Sequence, residues 1–349
     1  MLNVGVIGAS GYGGGELLRL LSRHPQAQIA CAVSETYAGK PVSAAFPGLL
    51  TLPELRFVSG GANAELAACD VVFLAQENGK AMHAVAPLLE GGSKVIDLSA
   101  DFRFRDPDVY AHWYGAAHAA PEWNARAVYG LPELHRDAIR EAQLIGNPGC
   151  YPTATILGLA PIVQHKLVSV ESLLVDAKSG VSGAGRAKFS LDYHYPEMNE
   201  SVSAYKTSGT HRHTPEIEQA LSALAGLNST FPLTFTPHLI PMTRGILATC
   251  YGTLAEAASA EELLGVYREF YADAPFVRIV EDHLPATKHT LGTNYCQIGL
   301  SVDRRNNRVT VVSCIDNLVK GAAGQAIQNM NLMCGIEETV GLGLGGIWP

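Results

Sequence analysis

Five of the eight residues from Gly8 to Gly15 are glycine, and they stand between a short apolar run, Val4–Ile7, and a helix-like segment, Gly14–Arg23. Leu17, Leu18, Leu20 and Leu21 recur there at helical spacing. Glycines in such a turn let backbone N–H groups approach a pyrophosphate, and the following helix N-terminus stabilises its charge. Gly8, Ser10, Gly11, Tyr12, Gly13 and Gly14 are therefore candidate cofactor contacts. The spacing is G-x-x-G-x-x-G, not G-x-G-x-x-G, and a tight strand-to-helix turn without a ligand could use the same glycines. Its place after the first strand of an α/β pattern favours the dinucleotide. Further β-type runs at Ile29–Val33, Asp70–Ala75, Lys94–Leu98 and Gln143–Ile145 alternate with helical segments, which predicts a Rossmann-type doubly wound parallel sheet over residues 1–147.

Beyond Thr153 the pattern changes. Leu173–Val181, Phe231–Ile240, Leu247–Leu254, Tyr295–Val302 and Arg308–Cys314 are rich in β-formers with few helices between them. Residues 148–316 are thus expected to form an α+β substrate and oligomerisation domain with a mainly antiparallel sheet. Its predicted helices are Thr153–His165, Thr214–Ala225 and Ala260–Tyr271; a final helix, Asn317–Met333, has Asp316 as its N-cap. A chain of 349 residues suits about two domains.

Charged residues make up 17% and apolar ones 47%, the balance of a globular protein. A net charge of −8 with no cluster of Lys and Arg gives no support for nucleic-acid binding. No run approaches the ~18 apolar residues of a membrane span. The first strand begins too early to leave room for a signal peptide. Seven scattered cysteines without a C-x-x-C pair predict a reducing, cytoplasmic setting and no zinc site. Among twelve histidines only His211 and His213 are a close pair, so no metal is expected.

Cys150 lies in Gly146-Asn147-Pro148-Gly149-Cys150-Tyr151-Pro152-Thr153, between a strand and a helix predicted to open at Pro152. Unpartnered N–H groups at a helix start favour the thiolate, whose ordinary pKa is ~8.5. Flanking Pro-Gly and Tyr-Pro mark a fixed turn, which favours a nucleophile over a merely buried thiol.

A nucleotide and a nucleophilic thiol belong together where an acyl group and an aldehyde interconvert through a thioester. Such chemistry needs a proton donor, and Thr210-His211-Arg212-His213-Thr214-Pro215-Glu216 offers His211 or His213. At the end of the second strand Glu35 favours NAD and Lys40 favours NADP. Arg103 follows the strand run Lys94–Leu98 at the ligand-binding edge. Arg186, closing Ser179-Gly180-Val181-Ser182-Gly183-Ala184-Gly185-Arg186, suits a phosphate or carboxylate or else a surface ion pair, and so does Arg244.

Together these residues resemble the N-acetyl-γ-glutamyl-phosphate reductases, within the aspartate-semialdehyde dehydrogenase superfamily. The matching stretches include Gly8-Ala9-Ser10-Gly11-Tyr12-Gly13-Gly14, Asp97-Leu98-Ser99-Ala100-Asp101-Phe102-Arg103, Pro148-Gly149-Cys150-Tyr151-Pro152-Thr153, His211-Arg212-His213-Thr214-Pro215-Glu216 and Asp316-Asn317-Leu318-Val319-Lys320-Gly321. They run in order through nearly the whole chain. The resemblance implies NADPH-dependent reduction of an acyl phosphate to a semialdehyde, with Cys150 as nucleophile and His211 or His213 as acid/base. It places Tyr205 and Glu216 near the cysteine, and Arg103, Ser179, Arg244 and the loop from Ser182 to Arg186 around the substrate's anionic groups. Ser182 and Gly183 would also border the cofactor, and Asn317 would contact the nicotinamide carboxamide. Residues 317–349 would return to complete the first domain, and the chain would assemble as a homodimer or homotetramer.

Two departures stand out. Relatives often carry a basic residue near Glu35, so NADP preference here rests on Ser34 and Lys40. Ala75-Gln76-Glu77-Asn78-Gly79 replaces a Leu-Pro-His-Gly type of loop. Rival readings are reduction of aspartyl phosphate or the N-acetyl-aminoadipyl analogue, a Cys–His acyl hydrolase, and a dinucleotide-binding regulator. One methylene is worth only about 1–3 kcal/mol in a pocket, so chain length is easily switched.

Overall fold

The computed structural model describes residues 1–60 and 64–348, which divide into two compact units. The first comprises Met1–Gly149, Gly185–Ala187 and Ala322–Leu344; the second comprises Cys150–Ala184, Lys188–Gly321 and a short piece from Gly345. Against the expected boundaries of 147 and 316, the divisions fall at Gly149 and Gly321, and Gly185–Ala187 joins the first unit.

The first unit holds strands β1 (Leu2–Ile7), β2 (Ala27–Val33), β3 (Phe57–Val58), β4 (Val71–Leu74), β5 (Lys94–Asp97), β6 (Val128–Tyr129) and β7 (Leu144–Gly146). All pair in parallel, in the order β3-β2-β1-β4-β5-β7-β6. Val71, Val72, Phe73 and Leu74 are all fully buried, as expected for a parallel strand covered on both faces. Chain order reverses between β1 and β4, and their carboxyl ends make the crevice where open α/β sheets bind ligands. The helix Gly324–Met333 packs on helices Tyr12–Leu21 and Pro132–Glu141. Its buried amides explain that docking: Asn329 Nδ2 donates to the Gly130 carbonyl at 2.9 Å and to Asn147 Oδ1 at 3.0 Å.

The second unit holds β8 (Leu174–Ser179), β9 (Ser203–Ala204), β10 (Thr234–Leu239), β11 (Ile246–Thr253), β12 (Val277–Ile279), β13 (Cys296–Asp303) and β14 (Arg308–Ile315). Their order is β12-β13-β14-β11-β8-β10-β9. Four pairings are antiparallel, while β8–β10 and β12–β13 are parallel, so the sheet is mixed but mostly antiparallel. β11 alternates strictly, turning Ile246, Ala248, Cys250 and Gly252 inward. The helix Cys150–Gln164 packs on β11 and β14 and is apolar and buried on every side. Pro161 has no N–H to offer the Leu157 carbonyl, and the Tyr271 hydroxyl donates to that carbonyl instead, at 2.6 Å.

Two helix expectations need correction. The long helix of this unit opens at Cys150, not Pro152. Proline at its third position is tolerated because an N–H there would still lack an intrahelical partner. The final helix is not continuous from Asn317: a π-helical turn, Val319–Ala323, precedes the α-helix Gly324–Met333. Asp316 still caps its start, since Oδ1 accepts the N–H groups of Leu318 at 2.8 Å and Val319 at 3.3 Å.

Candidate active site

Cys150 is the first residue of its helix and half-buried, so its thiol sits at the positive end of the helix dipole. Most of the other cysteines are core residues. Burial pushes Cys31 and Cys69 up to about 11, and Cys250 and Cys314 up to about 12. Gly321, in the π-helical turn, lies so close that a Cβ there would meet Cys150 Cβ at 2.8 Å.

An aromatic and imidazole cluster adjoins the cysteine in the second unit. The Tyr151 ring contacts His211 at 5.5 Å, His213 at 5.9 Å and Phe235 at 5.3 Å, all edge to face. The Tyr205 hydroxyl donates to that of Tyr151 at 3.2 Å, and the Tyr205 ring lies 5.5 Å from His211. Burial raises both phenols far above the ordinary range, and the Cys150 charge adds to each shift. Both phenols stay protonated at neutral pH.

His211 is 8% exposed and His213 precedes the helix Thr214–Leu224. The His213 backbone N–H donates to His211 Nδ1 at 3.1 Å, so a neutral His211 carries its proton on Nε2. Burial first, then the Lys206 and Arg212 charges, lower the His211 pKa from 6.5 to about 4. Lys206 is itself lowered by burial, Arg212 and Lys188. Glu216 is completely buried in the first turn of the same helix.

Asn317, at the other end of the unit's chain, accepts the Gly245 N–H on Oδ1 at 2.7 Å and donates to Ser182 Oγ at 3.0 Å. Gly183 lies beside it, since a Cβ there would stand 3.9 Å from Asn317 Nδ2 and 3.7 Å from Ser179 Oγ. The Arg244 guanidinium is engaged by the buried Asp316 carboxylate at 3.1 Å.

The other predicted residues belong to the first unit. Gly8 and Gly14 are required by packing: added Cβ atoms would meet the Ala75 and Gly8 carbonyl oxygens at 2.2 and 2.4 Å. Gly11 and Gly13 are different, because a Cβ on either would meet no heavy atom closer than 3.4 Å. Those two glycines leave open space beside the N-terminus of helix Tyr12–Leu21, a cradle fit for a phosphate. Ser10 Oγ lies 2.7 Å from Ser34 Oγ. The buried Arg103 guanidinium donates to the Asn147 and Leu98 carbonyls, both at 2.8 Å. Arg186 donates to the Ser10 carbonyl at 3.2 Å.

Sequence reasoning passed over Tyr151, Phe235, Lys206, Arg212 and Gly321 as site residues. Tyr151 and Arg212 adjoin Cys150 and the two histidines in the chain, which is the one signal for them; Phe235 and Gly321 lie far from both in sequence. Among the described residues no group of three or more His, Cys, Asp and Glu is placed to hold a metal ion. None of their helices is long and apolar enough to cross a membrane.

Residues 3–142 match the model of the semialdehyde dehydrogenase NAD-binding domain, and residues 150–317 that of the semialdehyde dehydrogenase dimerisation domain. The N-acetyl-gamma-glutamyl-phosphate reductase of Symbiobacterium thermophilum is 53% identical, covering 100% of this chain and 99% of its own length. That of Geobacter sp. strain M21 is 51% identical, covering 100% of both. Among solved structures, the fold is similar to aspartate semialdehyde dehydrogenase II of Vibrio cholerae, with TM-score 0.72, 17% identity and coverage of 96% of this chain and 98% of that one. A nucleotide-binding sheet, a cysteine at a helix start and this full-length likeness converge: the chain belongs to the N-acetyl-gamma-glutamyl-phosphate reductases of the semialdehyde dehydrogenase family.

Proposed function

We propose that the chain reduces N-acetyl-γ-glutamyl phosphate to N-acetylglutamate semialdehyde with release of phosphate, using NADPH and a thioester on Cys150. The observation that carries this reading is the Cys150 thiol at a helix start, beside the Tyr151, Tyr205 and His211 cluster. The names of the full-length relatives supply the acyl chain.

The helix dipole favours the Cys150 thiolate, which attacks the acyl carbon. A carbon–sulfur bond forms, the bond to the phosphate oxygen breaks, and phosphate departs. The bound reduced dinucleotide would supply the hydride that converts the thioester carbonyl to an oxyanion. His211 presents Nε2–H to that oxygen as a hydrogen-bond donor, its orientation fixed by the His213 backbone. Collapse then breaks the carbon–sulfur bond, releases the aldehyde and returns the thiolate.

Lys206, Arg212 and Lys188 provide the positive field for the substrate's phosphate and carboxylate. The same charges disfavour an imidazolium at His211 until an anion offsets them. Tyr205 and Glu216 act as positioning residues, Tyr205 through Tyr151 and Glu216 through the helix that His213 starts. Asn317 holds Ser182 and Gly245 and keeps one amide hydrogen for a nicotinamide carboxamide. Arg103 braces the loop after β7 through the Asn147 carbonyl. In the first unit, the open cradle at Gly11 and Gly13 fits the pyrophosphate. The dimerisation domain implies a homo-oligomer, which we take to be a dimer or tetramer.

A reverse assay tests the reading: N-acetylglutamate, aspartate and N-acetyl-aminoadipate semialdehydes are each offered with phosphate and either NADP or NAD. Fastest turnover with N-acetylglutamate semialdehyde and NADP is expected. Preference for another aldehyde would assign the chain a different acyl phosphate.

A further inference from the structure

Two residues just beyond β2 give opposite signals for the cofactor, acidic Glu35 and basic Lys40. Structurally they are not equivalent. Glu35 Oε1 accepts the Gly60 N–H at 2.5 Å, so one of the two carboxylate oxygens is engaged by the chain that follows β3.

Arg186 is placed differently from what its loop suggested. It belongs to the first unit, where Nη1 donates to the Ser10 carbonyl at 3.2 Å and Nη2 lies 3.4 Å from the Tyr37 hydroxyl. Its guanidinium carbon stands 5.0 Å from the Phe46 ring centroid and 5.7 Å from that of Tyr37. Lys40 Nζ lies 5.7 Å from the same Tyr37 ring. Among the described residues the partners of Arg186 are a carbonyl, a hydroxyl and two rings, all neutral, so its full charge remains for an anion. The rings restrict its motion, which lowers the entropy lost when a ligand binds.

The contacts of Arg186 point to one part of a dinucleotide. Ser10 lies in the glycine turn, and Tyr37 lies three residues after Ser34, where the second strand of such folds meets the adenosine ribose. We infer that Arg186 and Lys40 form a clamp for the 2′-phosphate of NADP. Arg186 then replaces the basic residue missing near Glu35, and it serves the cofactor, not the acyl phosphate. This assignment rests on the reading of the first unit as the dinucleotide site.

Calorimetric titration of the full-length protein with adenosine 2′,5′-bisphosphate and adenosine 5′-monophosphate tests it without turnover. Wild type should prefer the bisphosphate. Arg186→Met should weaken the bisphosphate by roughly tenfold to a hundredfold, as for loss of a charge-assisted hydrogen bond, and leave the monophosphate within about twofold. Lys40→Met should produce a smaller loss of the same kind, and Arg186→Lys should retain part of the preference. Unchanged monophosphate binding shows that each variant keeps an intact turn. Equal losses for both nucleotides would mean that Arg186 only shapes the turn, and no loss for either would place the 2′-phosphate elsewhere; both overturn the inference. Failure of wild type to bind either nucleotide would overturn the dinucleotide reading itself, together with this one.

Discussion

His211 and His213 are two residues apart, yet their surroundings give them different work. His211 receives the His213 N–H on Nδ1 and is held neutral by burial and by two neighbouring cations. The His213 N–H that orients His211 is a backbone group and survives replacement of the side chain by Asn, although the His213 ring also packs 5.0 Å from that of His211. His211→Asn is therefore expected to lower kcat by at least tenfold more than His213→Asn; equal losses in steady-state kinetics would contradict the assignment. The pH behaviour follows from the same geometry. An unfolded chain takes up a proton on His211 near 6.5, and the folded one only near 4. Stability from this residue is complete above about 6.5 and is lost as pH falls from there toward 4. Denaturant titrations should show the wild type losing more stability than His211→Asn across that window. Parallel pH profiles would mean that His211 titrates normally.

At the scale of elements, the start of the Cys150 helix and the π-helical turn beside it must be considered together. Gly321 is glycine because the turn brings its Cα against the Cys150 side chain. Gly321→Ala should displace the nucleophile, lowering kcat and changing the pH dependence of thiol alkylation while leaving dinucleotide affinity unaltered. An alanine variant with wild-type kcat would show that the contact has slack. The sequence made ten of the fourteen strands among the described residues, the glycine turn and Cys150 legible because each depends on local chemistry: β-former runs, backbone freedom, helix-start residues; β3, β6, β9 and β12, two or three residues each, are too short to show such a run. It did not reveal that the final helix begins as a π turn, because that depends on Gly321 meeting Cys150, far away in the chain. It also misplaced Arg186, since spacing cannot show that Gly185–Ala187 leaves the second unit for the first. Lys206 and Arg212 were hidden for a similar reason, their effect on His211 coming from the tertiary field.

The whole molecule adds assembly to chemistry. Helices cover one face of the second sheet, and the opposite face turns out half-buried Leu247, Thr249 and Tyr251 of β11 with Asp176 and Lys178 of β8. Such a mixed face, in a domain matching a dimerisation model, suits contact with a second copy. Tyr251→Lys is expected to reduce the molar mass measured by light scattering while the monomer keeps its nucleotide affinity; an unchanged mass would move the interface elsewhere. The thioester itself is the centre of the account, and it can be trapped. Protein mixed with N-acetyl-γ-glutamyl phosphate in the absence of any dinucleotide should release one equivalent of phosphate per chain and carry the acyl group on the Cys150 peptide by mass spectrometry, with neither event in Cys150→Ser. Continuous phosphate release without an adduct, or an adduct that persists in the serine variant, would contradict covalent catalysis at Cys150.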